Sequence, residues 1–217
     1  MSDDALFERI ARHGVVPVIA IDSAEAAVPL ADAMLAGGLP VLEITFRTGA
    51  AAEVIGRLAA ERPELLLGAG TVLSVENLER AKACGASFGV APGLNPAVAR
   101  RAAEIGLPFV PGVATPSEVE AALGLGCTVL KLFPSGALGG VKYLNALAGP
   151  YRHTGVRFVP TGGVSADNLA DYLALDVIAA VGGTWLAKRD DVAAGNWPEI
   201  TARCKAAVET VARTRGA

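Results

Sequence analysis

One charged side chain, Lys131, interrupts an otherwise apolar segment at positions 127–134. The segment is short, hydrophobic and in part β-branched, and it is bounded by glycine and proline, which predicts a buried strand. Removing an ammonium group from water is costly unless it is paired, so a buried lysine tends to lose its proton and become a nucleophile. Lys131 is therefore a candidate for forming an imine with a carbonyl substrate. The alternative is a structural lysine, either ion-paired or with its amine in solvent.

A second predicted strand carries three polar residues on one face. In segment 41–47, Glu43, Thr45 and Arg47 alternate with apolar residues, so the strand has one polar and one apolar face. If the apolar face packs against helices, the polar face points to the interior, where the same alternation places Lys131. Glu43 beside Lys131 matches a general acid/base beside a Schiff-base lysine. A structural ion pair of Glu43 with Arg47 is the alternative.

Two glycine pairs follow late predicted strands. Segment 161–165 has the sequence TGGVS, and segment 182–185 has the sequence GGTW. Glycine lets backbone N–H groups approach an anion closely, and the loops after strands seven and eight of a β/α barrel are where phosphate sites recur. Thr71, after the third strand, adds a hydroxyl to the same rim, although it also suits a helix lead-in. These features favour a phosphorylated ligand, whereas a single glycine pair is more typical of a turn.

Positioning these residues requires repeated strand–helix units, which the sequence supplies. Apolar runs separated by capped helical segments predict eight strands. The predicted strands are 15–21, 41–46, 65–69, 88–91, 109–113, 127–134, 157–160 and 177–181. Eight such units in about 200 residues predict an α/β fold of the (β/α)₈ TIM barrel type, with an extra N-terminal helix at 3–13. An open doubly wound sheet is the alternative, but segment 20–23 lacks the glycines of a dinucleotide-binding turn.

Length and composition fit a single domain, residues 1–217, with a large core. The chain has 217 residues, of which 52% are hydrophobic, and no composition shift marks a linker. A net charge of −3 supplies no basic surface, so neither nucleic acid nor an anionic membrane is expected as a partner. The acidic N-terminus does not have the pattern of a signal peptide, and no apolar run reaches the roughly 18 residues that span a bilayer. We expect a cytoplasmic protein.

The cysteines and histidines predict neither a disulfide framework nor a metal site. Cys84, Cys127 and Cys204 are an odd number without paired spacing, which favours reduced thiols. The chain has two histidines, His13 and His153, and neither lies in a predicted site loop. We therefore expect chemistry without a metal or other cofactor.

Long motifs around both charged strands resemble those of one enzyme family. Segment 38–47 (GLPVLEITFR) and segment 126–139 (GCTVLKLFPSGALG) are similar to the two signature motifs of the class I 2-keto-3-deoxy-6-phosphogluconate (KDPG) aldolases. Segments 68–71, 159–163 and 182–185 extend the resemblance from the first strand almost to the last helix. The resemblance implies a homotrimer that reversibly cleaves KDPG to pyruvate and glyceraldehyde 3-phosphate.

The resemblance also implies roles for individual residues. It implies that Lys131 is the Schiff-base lysine and that Glu43 is the general acid/base. Around the substrate it implies Arg47, Thr71 and Thr161 at the pyruvyl carboxylate, Phe133 as an apolar wall, and Gly162, Gly163, Gly183 and Thr184 at the phosphate. Some relatives carry serine at position 184. Threonine keeps the hydroxyl donor, so we expect phosphate binding to be retained.

Other functions would use parts of the same pattern. Aldolases for related 2-keto acids, such as 4-hydroxy-2-oxoglutarate (KHG) or the galactonate epimer of KDPG, share both motifs. A phosphosugar isomerase on the same barrel would use the phosphate loops but would not need an imine-forming lysine. A phosphometabolite-binding or structural barrel would keep Lys131 and Glu43 as a buried structural pair. Trapping of an imine with pyruvate and borohydride distinguishes an aldolase from the last two.

Overall fold

The computed structural model describes residues 3–216 as strands that alternate with helices. The strands are β1 (Val15–Ile19), β2 (Val41–Thr45), β3 (Leu66–Gly70), β4 (Phe88–Val90), β5 (Phe109–Val110), β6 (Gly112–Val113), β7 (Val129–Leu132), β8 (Arg157–Pro160) and β9 (Val181–Gly183). The helices are α1 (Asp3–His13), α2 (Ala27–Ala36), α3 (Ala51–Glu61), α4 (Val75–Ala83), α5 (Pro96–Ile105), α6 (Pro116–Gly124), α7 (Gly140–Ala148), α8 (Leu169–Leu173), α9 (Arg189–Ala193) and α10 (Trp197–Arg215). Two 3₁₀ helices, Ala24–Ala26 and Gly149–Thr154, precede α2 and follow α7.

The strands pair in parallel and form a curled sheet. One ladder has the order β5-β4-β3-β2-β1-β9 and the other has the order β6-β7-β8. Pro111 lies between β5 and β6 and lacks the N–H group that a continuous ladder needs. At the other end, parallel bridges join Phe158 to Ile178 and Thr161 to Gly182. The chain therefore has an α/β fold built on a curled parallel sheet.

Six of the eight predicted strands match the structure to within two residues at each end, and the other two differ more. The predicted strand 109–113 is divided at Pro111. The predicted strand 177–181 is displaced, because the last strand is Val181–Gly183, which pairs with β1. Residues 177–180 are apolar and buried, but only Ile178 among them makes a β-bridge. The glycines Gly182 and Gly183 consequently belong to the strand itself and not to the loop after it.

Apolar residues cover both faces of the sheet, as expected for parallel strands buried between layers. The larger cluster packs the helices against the outer face. A smaller group, which we call the inner cluster, lies inside the curl and includes residues of α1. Its buried members are Leu6, Phe7, Ile10, Val16, Val41, Leu66, Phe88, Val90, Val110, Val129, Ala179 and Ala180. Most of its strand members come from the amino-terminal halves of their strands, so α1 packs at the end of the sheet opposite the strand carboxyl ends.

Local sequence explains where several helices begin. Thr115 and Glu118 form a capping box at the start of α6, with Pro116 at the first helical position. Asn95 caps α5 by accepting a hydrogen bond from the backbone N–H of Ala97. These caps fix the points at which the chain leaves the carboxyl ends of β4 and β6, and therefore the rim on which the candidate site lies.

Helix α10 is the longest helix and closes the described chain. Its buried residues are Ile200, Cys204, Ala207 and Val211. It packs mainly against α2 and α8. Among the helices within residues 3–216, none is both long enough and apolar enough to cross a membrane.

Candidate active site

A cavity of about 200 Å³ opens near the carboxyl ends of the strands. Its lining residues are Val18, Glu43, Thr45, Arg47, Thr71, Pro92, Lys131, Phe133, Thr161, Gly162 and Thr184. The structure therefore brings together all of the residues predicted for the site except Gly163 and Gly183. In β/α barrels this end of the strands is where catalytic residues lie.

Lys131 and Glu43 form a buried ion pair within this cavity. The distance from Lys131 Nζ to Glu43 Oε1 is 3.6 Å, and the two side chains are 7% and 5% exposed. This distance is too long for a hydrogen bond, and Oε1 has no hydrogen-bond partner among the described residues. The predicted placement of both side chains in one interior is confirmed. The two groups attract each other but are not hydrogen-bonded, so each can still form a hydrogen bond with a substrate group.

Lys131 differs from the other lysines of the chain in its burial. It is 5% exposed as a residue. The other lysines, all exposed, are Lys82, Lys142, Lys188 and Lys205. Within residues 3–216, Lys131 is thus the single lysine removed from solvent and placed against a carboxylate. An amine in such a site is the type of lysine that forms imines with carbonyl compounds.

Arg47 is positioned by a short relay of hydrogen bonds. The hydroxyl of Thr45, which is 1% exposed, donates to the carbonyl oxygen of Ile19 at 2.9 Å. The Nε–H group of Arg47 donates to the same hydroxyl oxygen at 3.1 Å. The guanidinium group is thereby tied to β1 through β2 at the cavity wall. Its planar set of donors suits a carboxylate.

Thr71 lies on the wall in an unusual backbone conformation. Its φ angle is +57°, the only positive φ found for a non-glycine residue within residues 3–216. The left-handed region is disfavoured for β-branched residues and costs of order 1–3 kcal/mol, so it persists only where the surrounding structure imposes it. Backbone strain of this kind is concentrated at functional sites, which supports the predicted role of Thr71 in binding.

The loops after β7 and β8 are fastened together beside Thr161. The N–H of Ser135 donates to the carbonyl of Thr161 at 2.9 Å, and that of Gly136 donates to the carbonyl of Gly162 at 2.7 Å. A β-carbon on residue 182 would lie 2.1 Å from the Thr161 hydroxyl oxygen. Glycine at position 182 therefore makes space for the Thr161 side chain, a role that the sequence pattern did not distinguish from phosphate binding.

Gly163 and Gly183 do not line the cavity, and close packing explains why both are glycine. A β-carbon on Gly163 would lie 2.9 Å from the α-carbon of Gly136. A β-carbon on Gly183 would lie 2.4 Å from the ring of Trp185. Their predicted contact with phosphate stays a prediction, because these packing contacts account for the residue type without a ligand.

Phe133 provides an apolar side of the site next to the lysine. It is 37% exposed, one of two large hydrophobic residues exposed to this degree within residues 3–216. The Nζ atom of Lys131 lies 5.6 Å from the centre of its ring. This contact places the amine at the ring face, where a cation is stabilised and an uncharged imine is also accommodated.

The thiols and the possible metal ligands lie apart from this chemistry. The three cysteines are free, and burial raises the pKa of Cys127 and raises that of Cys204 to about 12. The pKa of His13 is lowered by burial and by the nearby Arg9 and Arg12. Within residues 3–216 no group of three or more His, Cys, Asp or Glu side chains is arranged to hold a metal ion.

Comparison with known proteins decides the family. The model of the family described as KDPG and KHG aldolase matches residues 7–203. This chain belongs to the KDPG and KHG aldolase family. It is 45% identical over 206 residues to the 2-dehydro-3-deoxy-phosphogluconate aldolase of Treponema pallidum, covering 95% of this chain and 97% of that protein. It is also 45% identical over 195 residues to the KHG/KDPG aldolase of Escherichia coli K12, covering 90% of this chain and 91% of that protein.

A solved structure in the KDPG and KHG aldolase family extends the likeness to three dimensions. The KDPG aldolase of Legionella pneumophila aligns with a TM-score of 0.89 and 38% identity, covering 95% of this chain and 98% of that chain. That protein was crystallised with pyruvate captured as a covalent carbinolamine intermediate. The alignment agrees with the curled parallel sheet of this chain.

Three residues of this aldolase-family site were absent from the predicted set. Val18 and Pro92 line the cavity, and Thr45 connects Arg47 to β1. The alternation of segment 41–47 does place Thr45 on the interior face, so its signal was present in the sequence. Val18 is an apolar residue of β1 and Pro92 lies in the loop after β4, and sequence alone does not separate an apolar cavity wall from a packed core.

Proposed function

We propose that this chain is a class I aldolase, a lyase that reversibly cleaves KDPG to pyruvate and D-glyceraldehyde 3-phosphate. The observation that carries the proposal is the buried pair of Lys131 and Glu43, 3.6 Å apart in the cavity at the strand ends. The pair combines a nucleophile with a proton-transfer group. The name KDPG aldolase, given to relatives 45% identical to the chain, supports the same reaction.

The reaction begins with a proton transfer within the Lys131–Glu43 pair, because only a neutral amine is a nucleophile. Transfer of the Lys131 proton to Glu43 converts the ion pair into an amine and a carboxylic acid, so no unpaired charge is created in the buried site. The amine then adds to the C2 ketone of the substrate and forms a carbinolamine. Glu43 returns the proton to the departing hydroxyl group, which leaves as water, and the product is a protonated imine between Lys131 and C2.

The protonated imine then serves as the electron sink for cleavage. Glu43, now a carboxylate, accepts the proton of the C4 hydroxyl, directly or through a water. The electron pair of the C3–C4 bond moves toward the imine and leaves an enamine, while C4 becomes the aldehyde of glyceraldehyde 3-phosphate. Protonation of the enamine at C3 and hydrolysis of the imine release pyruvate and regenerate Lys131.

The cavity offers groups for both charged ends of KDPG. Arg47, Thr71 and Thr161 contact the carboxylate next to C2, and support for this assignment is that all three donors line the same cavity as Lys131. Gly162, Gly163, Gly183 and Thr184 contact the phosphate. Support for the phosphate assignment comes from Gly162 and Thr184, which line the cavity where the loops after β8 and β9 meet.

We propose further that the curled sheet is one closed (β/α)₈ barrel in a single domain, with α1 as the extra N-terminal helix. Support comes from Pro111, where β5 and β6 are consecutive pieces of one strand, and from the bridges between Phe158 and Ile178 and between Thr161 and Gly182 at the opposite seam. The larger apolar cluster also extends from Val15 to Val211 without division.

The assembly and location of the enzyme are part of the same proposal. We propose a homotrimer, as the resemblance to class I KDPG aldolases implies. Light scattering should therefore give a mass three times that of one chain. A 26% identical relative, with a TM-score of 0.84, is a protein cage designed by fusing symmetric oligomeric domains, which supports oligomer formation in such chains.

Three unpaired cysteines support the cytoplasm as the location of the enzyme. The reaction is the aldol cleavage of the Entner–Doudoroff route, and it needs no nucleic acid or membrane partner.

A related 2-keto acid is the second candidate substrate. The Escherichia coli relative is named KHG/KDPG aldolase. The epimeric galactonate substrate is a further candidate, because a 26% identical chain with a TM-score of 0.84 is described as KDPGal. Both alternatives use the same Lys131 and Glu43 chemistry. KHG lacks the phosphate, whereas the galactonate epimer keeps it and differs from KDPG in the configuration at C4.

A side-by-side assay of four substrates tests the proposed function. Release of pyruvate is measured with KDPG, its galactonate epimer, unphosphorylated 2-keto-3-deoxygluconate and KHG. We expect the highest kcat/KM for KDPG, at least about tenfold above the unphosphorylated sugar acid, because charged hydrogen bonds to phosphate are lost. The highest kcat/KM with KHG would instead select the second candidate. Absence of pyruvate from all four compounds would exclude the aldolase.

A further inference from the structure

A small apolar cavity, which we call the floor cavity, borders Glu43 on the side of the inner cluster. Its volume is about 20 Å³, and its wall includes Phe7, Ile10, Phe88 and Val129 in addition to Glu43. Glu43 is the only lining residue with a polar side chain. A buried water needs two to four polar partners, so a cavity with one polar group in its wall favours a dry interior. Glu43 is also the one residue that lines both this cavity and the substrate site, so its side chain separates the two spaces.

Phe7 lies between the floor cavity and an outer groove. It is the one residue that lines both the floor cavity and a groove of about 180 Å³ between the start of α1, α5 and segment 125–128. The groove is polar at its edge, where Asp3, Asp4 and Thr128 contribute. The shared lining residues therefore give the order groove, Phe7, floor cavity, Glu43 and substrate site. Phe7 is 7% exposed, so little of its ring is left to solvent.

We propose that Phe7 is a positioning residue for catalysis, which keeps water from reaching Glu43 through the floor cavity. The inference rests on the proposed function. Because the floor cavity is dry, the polar groups near the Glu43 carboxylate are those of the substrate site. There Lys131 is 3.6 Å away and Arg47 lines the same wall. The remaining lining residues of the floor cavity carry no charge. The carboxylate is therefore held toward the reacting atoms by the absence of any competing partner below it.

Opening the floor gives the carboxylate a competing partner. Phe7→Ala removes the ring that divides the groove from the floor cavity, so water can enter and donate hydrogen bonds to the Glu43 carboxylate. A hydrated carboxylate turned toward the floor is misplaced for proton transfer, and removal of a well-placed acid/base costs about 10²- to 10⁴-fold in rate. A partial misplacement should cost about tenfold in the proton-transfer step. It should leave the number of imine-forming sites unchanged, because Lys131 is not disturbed.

Two measurements with pyruvate separate these effects. The first is the end-point yield of the borohydride-reduced adduct at saturating pyruvate, which reports imine formation at Lys131. The second is the rate of exchange of the pyruvate methyl hydrogens in D₂O, followed by NMR, which reports proton transfer through the enamine. We expect Phe7→Ala to keep one adduct per chain and a KM for pyruvate close to wild type, while its exchange rate falls about tenfold. Phe7→Leu, which keeps an apolar plug, should retain most of the exchange rate.

Leu6→Ala is the matched control. Leu6 is on the same helix, is 2% exposed and belongs to the same inner cluster, but it does not line the floor cavity. It should retain the wild-type exchange rate. If Phe7→Ala does not fold by circular dichroism, Phe7→Val carries the same test with a smaller opening. An unchanged exchange rate in folded Phe7→Ala, or in Phe7→Val where that variant replaces it, would overturn the proposal. An equal loss in Leu6→Ala would overturn it too. Absence of an adduct in the wild-type protein would instead overturn the aldolase function.

Discussion

A β-carbon on residue 70 would lie 2.0 Å from the Oε1 atom of Glu43, so Gly70 leaves the space that the Glu43 carboxylate occupies. Gly70 is the last residue of β3 and pairs with Thr45 of the neighbouring strand. The absence of a side chain at this point lets a long acidic side chain lie flat between two strands and reach Lys131. The position of the catalytic carboxylate is therefore determined by a glycine that touches no substrate.

Gly70→Ala tests this relationship. The added methyl group cannot share the space with the carboxylate, so Glu43 must move away from Lys131. We expect kcat to fall by about 100-fold, the scale of a lost general acid/base, and stability to fall by about 1–3 kcal/mol from overpacking. Gly124→Ala is the control, because residue 124 is exposed and its β-carbon would meet no atom within 4 Å. Wild-type kcat in Gly70→Ala would show that the carboxylate position does not matter.

Thr184→Ala tests the phosphate side of the site. Thr184 lines the cavity after β9, and its hydroxyl is the donor expected at the phosphate. One hydrogen bond to a charged group contributes about 1.5–3 kcal/mol, so kcat/KM for KDPG should fall by about 10- to 100-fold. Turnover of unphosphorylated KHG should change little, and Thr184→Ser should retain activity on KDPG. Equal losses on both substrates would remove Thr184 from the phosphate site.

Cys204 predicts a loss of stability at alkaline pH. Burial raises its pKa from 9.0 to about 12. The folded state therefore keeps this proton up to about pH 12, whereas the unfolded chain loses it near pH 9. Stability from this group is fully present below pH 9 and declines as the pH rises from 9 to 12, by at most about 1.4 kcal/mol per pH unit. Urea unfolding at several pH values should show a smaller decline for Cys204→Ala. Identical declines in the two proteins would contradict the buried thiol.

The sequence predicted the centre of the site better than its edges, for a physical reason. Glu43 and Lys131 are charged residues in apolar strands, and strand alternation alone fixes the face on which each lies. The displaced strand at 177–181 shows the limit. Residues 177–180 are as apolar as a strand, but the residues that pair with β1 are Val181–Gly183, and that choice depends on distant contacts. Phe7 is a further example, because the sequence predicts the helix 3–13 but not the two cavities that the Phe7 side chain lines.

Reductive trapping with pyruvate is the most direct measurement of the central claim, that Lys131 forms an imine. Incubation with pyruvate and borohydride, followed by peptide mass spectrometry, should place one reduced pyruvyl group per chain on segment 127–134. The four exposed lysines should stay unmodified, because a hydrated amine is protonated at neutral pH. Lys131→Arg should fold and lose both adduct and cleavage, because a guanidinium group does not deprotonate. An adduct on Lys142, or full activity in Lys131→Arg, would contradict the mechanism.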